Sequence, residues 1–252
     1  MFPLVHYFVN SELAAKKELF VSPLTALGAL WPDLASGTGY DRDLAHESGD
    51  EFYAWCLSHA PQSLALARGV ISHGSIPHCV DYYADEAWPG APDYPKGWCF
   101  LQGEPYRQAV AEATRLPENM IWWKAHNFVE MSYELLTDAA HPELKYRLLA
   151  AVRDQKAIRL AAETLSAYTG RPQERIAAAF CNTPDIFAIE TVDADTLAEK
   201  QCLGFALRHH HHQGNAKAMA ALLRRMQQEL AAGYPAFIAE VIARTGEVLE
   251  KY

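Results

Sequence analysis

Apolar residues in this chain recur at helical spacing, and proline, glycine and capping residues interrupt them at short intervals. Alternation of the strand type is absent, so the pattern predicts an all-α fold, a multi-helix bundle. Pro3 opens a first helix that runs to about Leu19. Ser22-Pro23 reads as a cap and first-turn proline for a second helix, which is expected to stop near Pro32. A glycine-rich connector, Ser36 to Tyr40, follows, then helices over Asp50 to Ser58 and Pro61 to His73. The stretch from Tyr83 to Gly103 is rich in proline, glycine and tryptophan and has no clear period, which predicts a long ordered loop of the kind that covers a site. Beyond it, helices are expected over Pro117 to Thr137, Pro142 to Tyr168, Pro172 to Cys181 and Ala194 to Arg208, with two more after Gly214 and Gly233. This suggests a helical core over residues 1–138 and C-terminal helices over 139–252 that pack on it, or one single domain.

Half of the 252 residues are apolar or aromatic and 21% are charged, which is enough to bury a sizeable core without staples. The formal charge of −9 argues against a broad nucleic-acid surface, because gripping a polyanion calls for a basic face. It leaves room for a small anionic partner held by cations. The five cysteines (Cys56, Cys79, Cys99, Cys181 and Cys202) are widely spaced and form no C-x-x-C pair, so they read as reduced core thiols. No basic leader and no apolar run of transmembrane length is evident, and the expected location is cytoplasmic.

The most specific local signal is His126-Asn-Phe-Val-Glu130, whose four-residue spacing stacks imidazole and carboxylate on one helix face, where they can share an ion. Apolar neighbours surround it, so the stripe of His126, Glu130 and Glu134 is expected to point somewhere protected. Without a metal, the same pair would be a hydrogen-bonded His-Glu contact. A second cluster is His73-Gly-Ser-Ile-Pro-His78-Cys-Val-Asp81, continued by Asp85. If Pro77 opens a new helix, His78, Asp81 and Asp85 fall within about 60° of one another, and His73 faces the same junction. Mixed imidazole and carboxylate sets of this kind suit zinc. As a purely structural alternative, His73 and Asp81 would be helix-terminal caps. His6, Asp33 after Trp31-Pro32, and His46 are each bland alone.

Taken in order, His6, Asp33 within Gly28-Ala-Leu-Trp-Pro-Asp33, His46, His73, His78 with Asp81, and His126-x-x-x-Glu130 resemble the ligand series of the zinc-dependent phospholipase C family, over roughly residues 4 to 135. That family is all-helical and includes single-strand nucleases as distant relatives. The resemblance implies two or three divalent metal ions, zinc foremost, and hydrolysis of a small anionic phosphate ester. It also implies His126, Glu130 and His78 for one ion, Asp33, His46, His73 and Asp81 for another, His6 for a third, and Asp33 as the base that orients the attacking water. Pro77 stands where the family has a bridging aspartate, with Asp81 or Asp85 as substitutes from a shifted frame. That departure motivates the alternative of a non-catalytic metal-binding or ligand-binding protein on the same scaffold.

Other signals carry less. The run His209 to His212 spans about 300° on a helix, so it cannot converge on one ion and reads as a solvated surface tract. His46-Glu-Ser-Gly-Asp50 lacks the second histidine of a zinc-protease helix. Gly37-Thr-Gly39 lacks the lysine and remaining glycines of a phosphate loop.

Overall fold

The computed structural model describes residues 2–89, 91 and 96–252, and among these there are fifteen α-helices and no strand. The helices are α1 (Pro3–Ala15), α2 (Pro23–Ala35), α3 (Arg42–Glu47), α4 (Gly49–His59), α5 (Leu64–His73), α6 (Trp98–Gly103), α7 (Arg107–Thr114) and α8 (Glu118–Ala140). They continue with α9 (Glu143–Arg153), α10 (Gln155–Thr169), α11 (Gln173–Cys181), α12 (Thr183–Ile186), α13 (Ala194–His209), α14 (Ala216–Leu230) and α15 (Tyr234–Leu249). The fold is thus all-α, as the periodicity predicts. One apolar core runs from Leu4 to Ile242, so helices after position 139 share their interior with those before it.

Two close contacts organise the half of the molecule that carries the polar clusters. The first is the crossing of α2 on α5, where Gly28 meets Gly69. A Cβ on Gly28 would lie 2.0 Å from the Leu66 carbonyl oxygen, and one on Gly69 would lie 2.2 Å from that of Thr25. Only glycine lets the two backbones touch here, and this brings Ala29 on α2 within reach of His73 at the end of α5. The second is the long helix α8, which packs against α1, α6, α7 and α14 and has Phe128, Val129 and Met131 fully buried.

Several helix limits differ from expectation, each for a local reason. Helix α1 ends at Ala15 because Glu18 adopts a left-handed conformation, φ 55°, and turns the chain. Ser22 caps α2 through a hydrogen bond from the Thr25 N–H, yet the helix passes through Pro32 to Ala35. The proline removes one N–H from a helix that is buried on most sides and so keeps its shape through packing. The single helix expected over 142–168 is two, broken at Asp154, whose carboxylate accepts from the N–H groups of Lys156 and Ala157 and caps α10. Cys56, Cys79 and Cys99 are buried thiols, but Cys181 is exposed and Cys202 half-buried.

The expected loop over 83–103 is helical at both ends, with a π-helical turn Tyr82–Glu86 and then α6. Residues 90 and 92–95, the middle of the proposed lid, lie outside the described residues. Pro77 does not open a helix: residues 75–78 form turns, and helical structure resumes at position 80. His78 therefore does not share a helix face with Asp81 and Asp85. No described helix is long and apolar enough to cross a membrane.

Candidate metal centre

His6 on α1, Asp33 on α2, His46 on α3, His73 at the end of α5 and Asp81 at the start of the π turn converge at one buried point. His73 Nε2 lies 3.0 Å and His46 Nε2 3.3 Å from Asp81 Oδ2, while His6 Nε2 lies 3.3 Å from Asp81 Oδ1. The Nε2 atoms of His46 and His73 are 3.3 Å apart, and Asp33 Oδ1 is 3.8 Å from His46 Nε2. The rings of His6 and His73 stack at 3.8 Å.

The outer nitrogens of two of these histidines explain their orientation. His73 Nδ1 donates to the Ala29 carbonyl at 2.6 Å, and His46 Nδ1 donates to the Arg42 carbonyl at 2.7 Å. A carbonyl can only accept, so Nδ1 carries the hydrogen in both rings and, in the neutral imidazole, Nε2 presents a lone pair. Two such lone pairs face each other and a carboxylate inside a space that excludes water, an arrangement that repels itself unless a cation stands among the donors. A backbone carbonyl fixing the far nitrogen is also the usual support of a metal-ligating histidine. The donor set fits a divalent metal of the zinc type by its chemistry, and the buried His6 Nδ1, which has no hydrogen-bond partner, adds to that fit.

The charges show that a proton can take part of that role. Burial opposes charge on His46, but its hydrogen bonds to Asp33 and Asp81 and their negative charge outweigh it and raise the imidazole pKa to about 9. The site is so rich in acceptors that it draws a proton. Burial and then the neighbouring His73 hold His6 down to about 4, against the pull of Asp81. Burial favours the neutral form of Asp81 too, yet His73 and the bonds from His46 and His6 keep its carboxyl well below the usual range.

A second group lies nearby, formed by Asp85, His126 and Glu130, each with a ligand atom within 4.8 Å of the others. His126 Nε2 is 4.0 Å from Glu130 Oε2, and the Asn127 side-chain amide bridges them, 3.0 Å from each of these atoms. Asp85 Oδ1 is buried without a hydrogen bond, and burial together with the charge of Glu130 pushes its carboxyl well above the usual range. The π turn puts Asp81 in one group and Asp85 in the other. Such turns recur at functional sites, where the extra residue redirects side chains. Gly97 holds the turn in place: its N–H donates to the Asp85 carbonyl, and a Cβ there would lie 2.3 Å from the Ala84 carbonyl oxygen.

Of the eight residues singled out as ligands from sequence, His6, Asp33, His46, His73 and Asp81 are in the first group and His126 and Glu130 in the second. His78 is in neither: it is exposed and stacks on Tyr82 at 3.6 Å. Asp85 occupies the place that the resemblance gave to His78. Its position four residues after Asp81 was a weak signal, and the π turn that directs it has no mark in the sequence. Glu134, the third member of the α8 stripe, points elsewhere. It accepts from the N–H groups of Leu4 and Val5 at 2.9 to 3.1 Å and caps α1, whose own Phe2 provides no cap.

Asp33, Asp85, His126 and Glu130 all line one cavity of about 730 Å³, a volume within the ~300–1,000 Å³ typical of small-molecule sites. Arg42, Lys124, Lys200 and Arg208 line it as well, with Phe2, Trp123 and Phe187 among its apolar walls. The histidine run is remote in role: His209, His210 and His212 are exposed, and His211 bonds the Thr114 carbonyl. Comparison of the chain with family models, with curated proteins and with solved structures finds no match to any of them.

Proposed function

We propose that the protein is a metal-dependent phosphoesterase that acts on a small anionic phosphate ester in the 730 Å³ cavity. The observation that carries this reading is the convergence of lone-pair donors, above all the facing Nε2 atoms of His46 and His73 with Asp81 between them. His46, His73 and Asp81, with Asp33 and His6, would hold one divalent ion, and Asp85, His126 and Glu130 a second. Two ions suit the donors better than three, because His73 offers a single free nitrogen and so cannot complete two sites. Bound at these positions, divalent ions supply Lewis acidity toward a phosphoryl oxygen and toward water.

The chain's own residues account for the rest. Asp33 is only 22% exposed, faces the cavity, and has its carboxyl held well below the usual range, since His46 and His73 outweigh the effect of burial. It is therefore an ionised acceptor that orients a water toward phosphorus. Arg42 lines the same cavity; burial opposes its charge, but the carboxylates Asp33, Asp81, Asp85 and Glu130 together outweigh it, so a charged guanidinium would face a phosphoryl group there. Phe2, Trp123 and Phe187 give the cavity apolar walls.

The alternative is a binding-only metal or ligand protein on the same scaffold, motivated by Pro77 at the bridging position; Asp81, four residues further on, contacts three histidines and supports metal binding in either case. The test is elemental analysis of protein purified without chelator, followed by hydrolysis of mono- and di-nitrophenyl phosphates with zinc or manganese. Metal near two equivalents, with activity that is lost in His126→Ala while the fold persists, is the expected result. Metal below about half an equivalent with no hydrolysis would reject the reading.

A further inference from the structure

Lys124 is unusual among the charged residues of this chain. It is 7% exposed and has no hydrogen-bond or ion-pair partner among the described residues, and its Nζ lies over the Phe205 ring at 5.7 Å. Burial opposes its charge and the negative charge of Glu130 favours it, but no described carboxylate is in ion-pair contact with it. It lines the same cavity as Asp33 and the second donor group, and so do Lys200 and Arg208 from α13. Positions 200, 204 and 208 of α13 are four apart and lie on one face. Between the two cations stands Gly204, over which the Arg208 guanidinium lies, 2.8 Å from where a Cβ would be. None of the candidate metal ligands comes from α13. Arg208 also has no described carboxylate partner. In a protein of net charge −9, three cations from two helices line one cavity and none of them is in a described ion pair, although Asp185 lines it too.

The geometry points to a second anion subsite, formed by Lys124, Lys200 and Arg208, that binds another phosphoryl or carboxylate group of the same ligand beyond the one held at the metal donors. The ligand class is then a small molecule with two anionic groups, such as an organic bisphosphate, rather than a simple monoester. Fork-shaped Arg208 and the point charges of the lysines suit a phosphoryl group, and the cavity volume accommodates both ends of such a molecule. The consequence for turnover rests on the phosphoesterase reading; the binding itself does not.

The test uses phosphonates, whose P–C bonds resist hydrolysis. Propylphosphonate is compared by calorimetry with alkane diphosphonates of increasing chain length, on protein whose metal content is measured in the same preparation. At least one diphosphonate is expected to bind about tenfold more tightly than the monophosphonate. That gain should disappear in Lys124→Met/Arg208→Gln, with the monophosphonate affinity unchanged. Met keeps the aliphatic stem against Phe205; if that variant does not fold, Lys200→Gln/Arg208→Gln on the accessible face of α13 replaces it. No gain with any diphosphonate, or a gain that survives the double substitution, overturns the subsite. A gain that depends on these residues in protein that holds no metal supports the subsite and rejects the hydrolase. Metal and hydrolysis without the gain do the reverse.

Discussion

Glu134 offers the sharpest physical test of how the first helix is held. Its carboxylate is fully buried and receives the N–H groups of Leu4 and Val5, two of the otherwise unpaired donors at the start of α1. Burial favours the neutral acid, the two backbone bonds favour the anion, and burial prevails, so the pKa rises from 4.5 to about 8. A carboxyl that holds its proton more tightly when folded contributes stability that is fully present below pH 4.5. That contribution is lost as pH rises through about 8. At ~1.36 kcal/mol per pH unit the whole window is worth about 5 kcal/mol, an upper figure because the backbone can relax. In Glu134→Gln the titration is gone, while every other ionisable group is shared with the parent. Urea unfolding of both proteins in chelator, between pH 4.5 and 9, therefore isolates this one group. The parent should lose about 5 kcal/mol relative to the variant across that window, with most of the loss below pH 8. Parallel profiles would refute the reasoning and mean that the two N–H bonds cancel the effect of burial.

Three further outcomes follow from the same structure. Gly28→Ala places a Cβ 2.0 Å from the Leu66 carbonyl oxygen, so it should force α2 from α5 and cost at least about 1–3 kcal/mol in denaturant unfolding; an unchanged midpoint would show that the helices do not touch there. Chelation of the purified protein should lower its thermal midpoint. The loss is about 4 kcal/mol when the free ion had been held a thousandfold above its dissociation constant, and calorimetry showing identical midpoints with and without chelator would contradict the metal centre. Asp81→Asn removes the carboxylate shared by His6, His46 and His73, and elemental analysis should then find about one equivalent of metal fewer than in the parent; full retention would assign the ion to other donors.

Much of the fold was legible because helices write themselves locally. Ser22-Pro23, Pro142 and Gly233 mark starts within a residue or two, and the apolar period needs no tertiary knowledge. The site was legible to the extent that it too is local. His126 and Glu130 are one helical turn apart on α8, and the spacing alone places them together. His6, Asp33, His46 and His73 carry no mutual spacing; Asp33 and His73 meet where α2 crosses α5 through paired glycines, and His6 and His46 are brought in by α1 and α3, contacts that only packing determines. His78 was misplaced because Pro77 was read as a helix start, whereas the chain makes turns there. The pairing of Asp85 with His126 and Glu130, and the place of Lys124, are hidden from the sequence for the same kind of reason. One is aimed by a π turn and the other by the approach of α13, and neither leaves a signature in its neighbours.

The two donor groups are mechanically one unit through α8. A single face of this helix carries His126 and Glu130 into the second group and then, one turn further on, Glu134 to the start of α1. The cap that Glu134 provides fixes the backbone of Leu4 and Val5, and the next residue is His6, whose ring stacks on His73 in the first group. The π turn makes the second link, since Asp81 and Asp85 are on one short segment that no rotation can move independently. Displacement of one group along α8 would thus be transmitted to the other both through the α1 cap and through that turn. If ions bind at these groups, their donors must meet to within a few tenths of an ångström and need this kind of rigid support. A chain that only needed to bury a few polar residues could have satisfied each of them with a local hydrogen bond, as it does with Ser132 and Thr137 on the same helix.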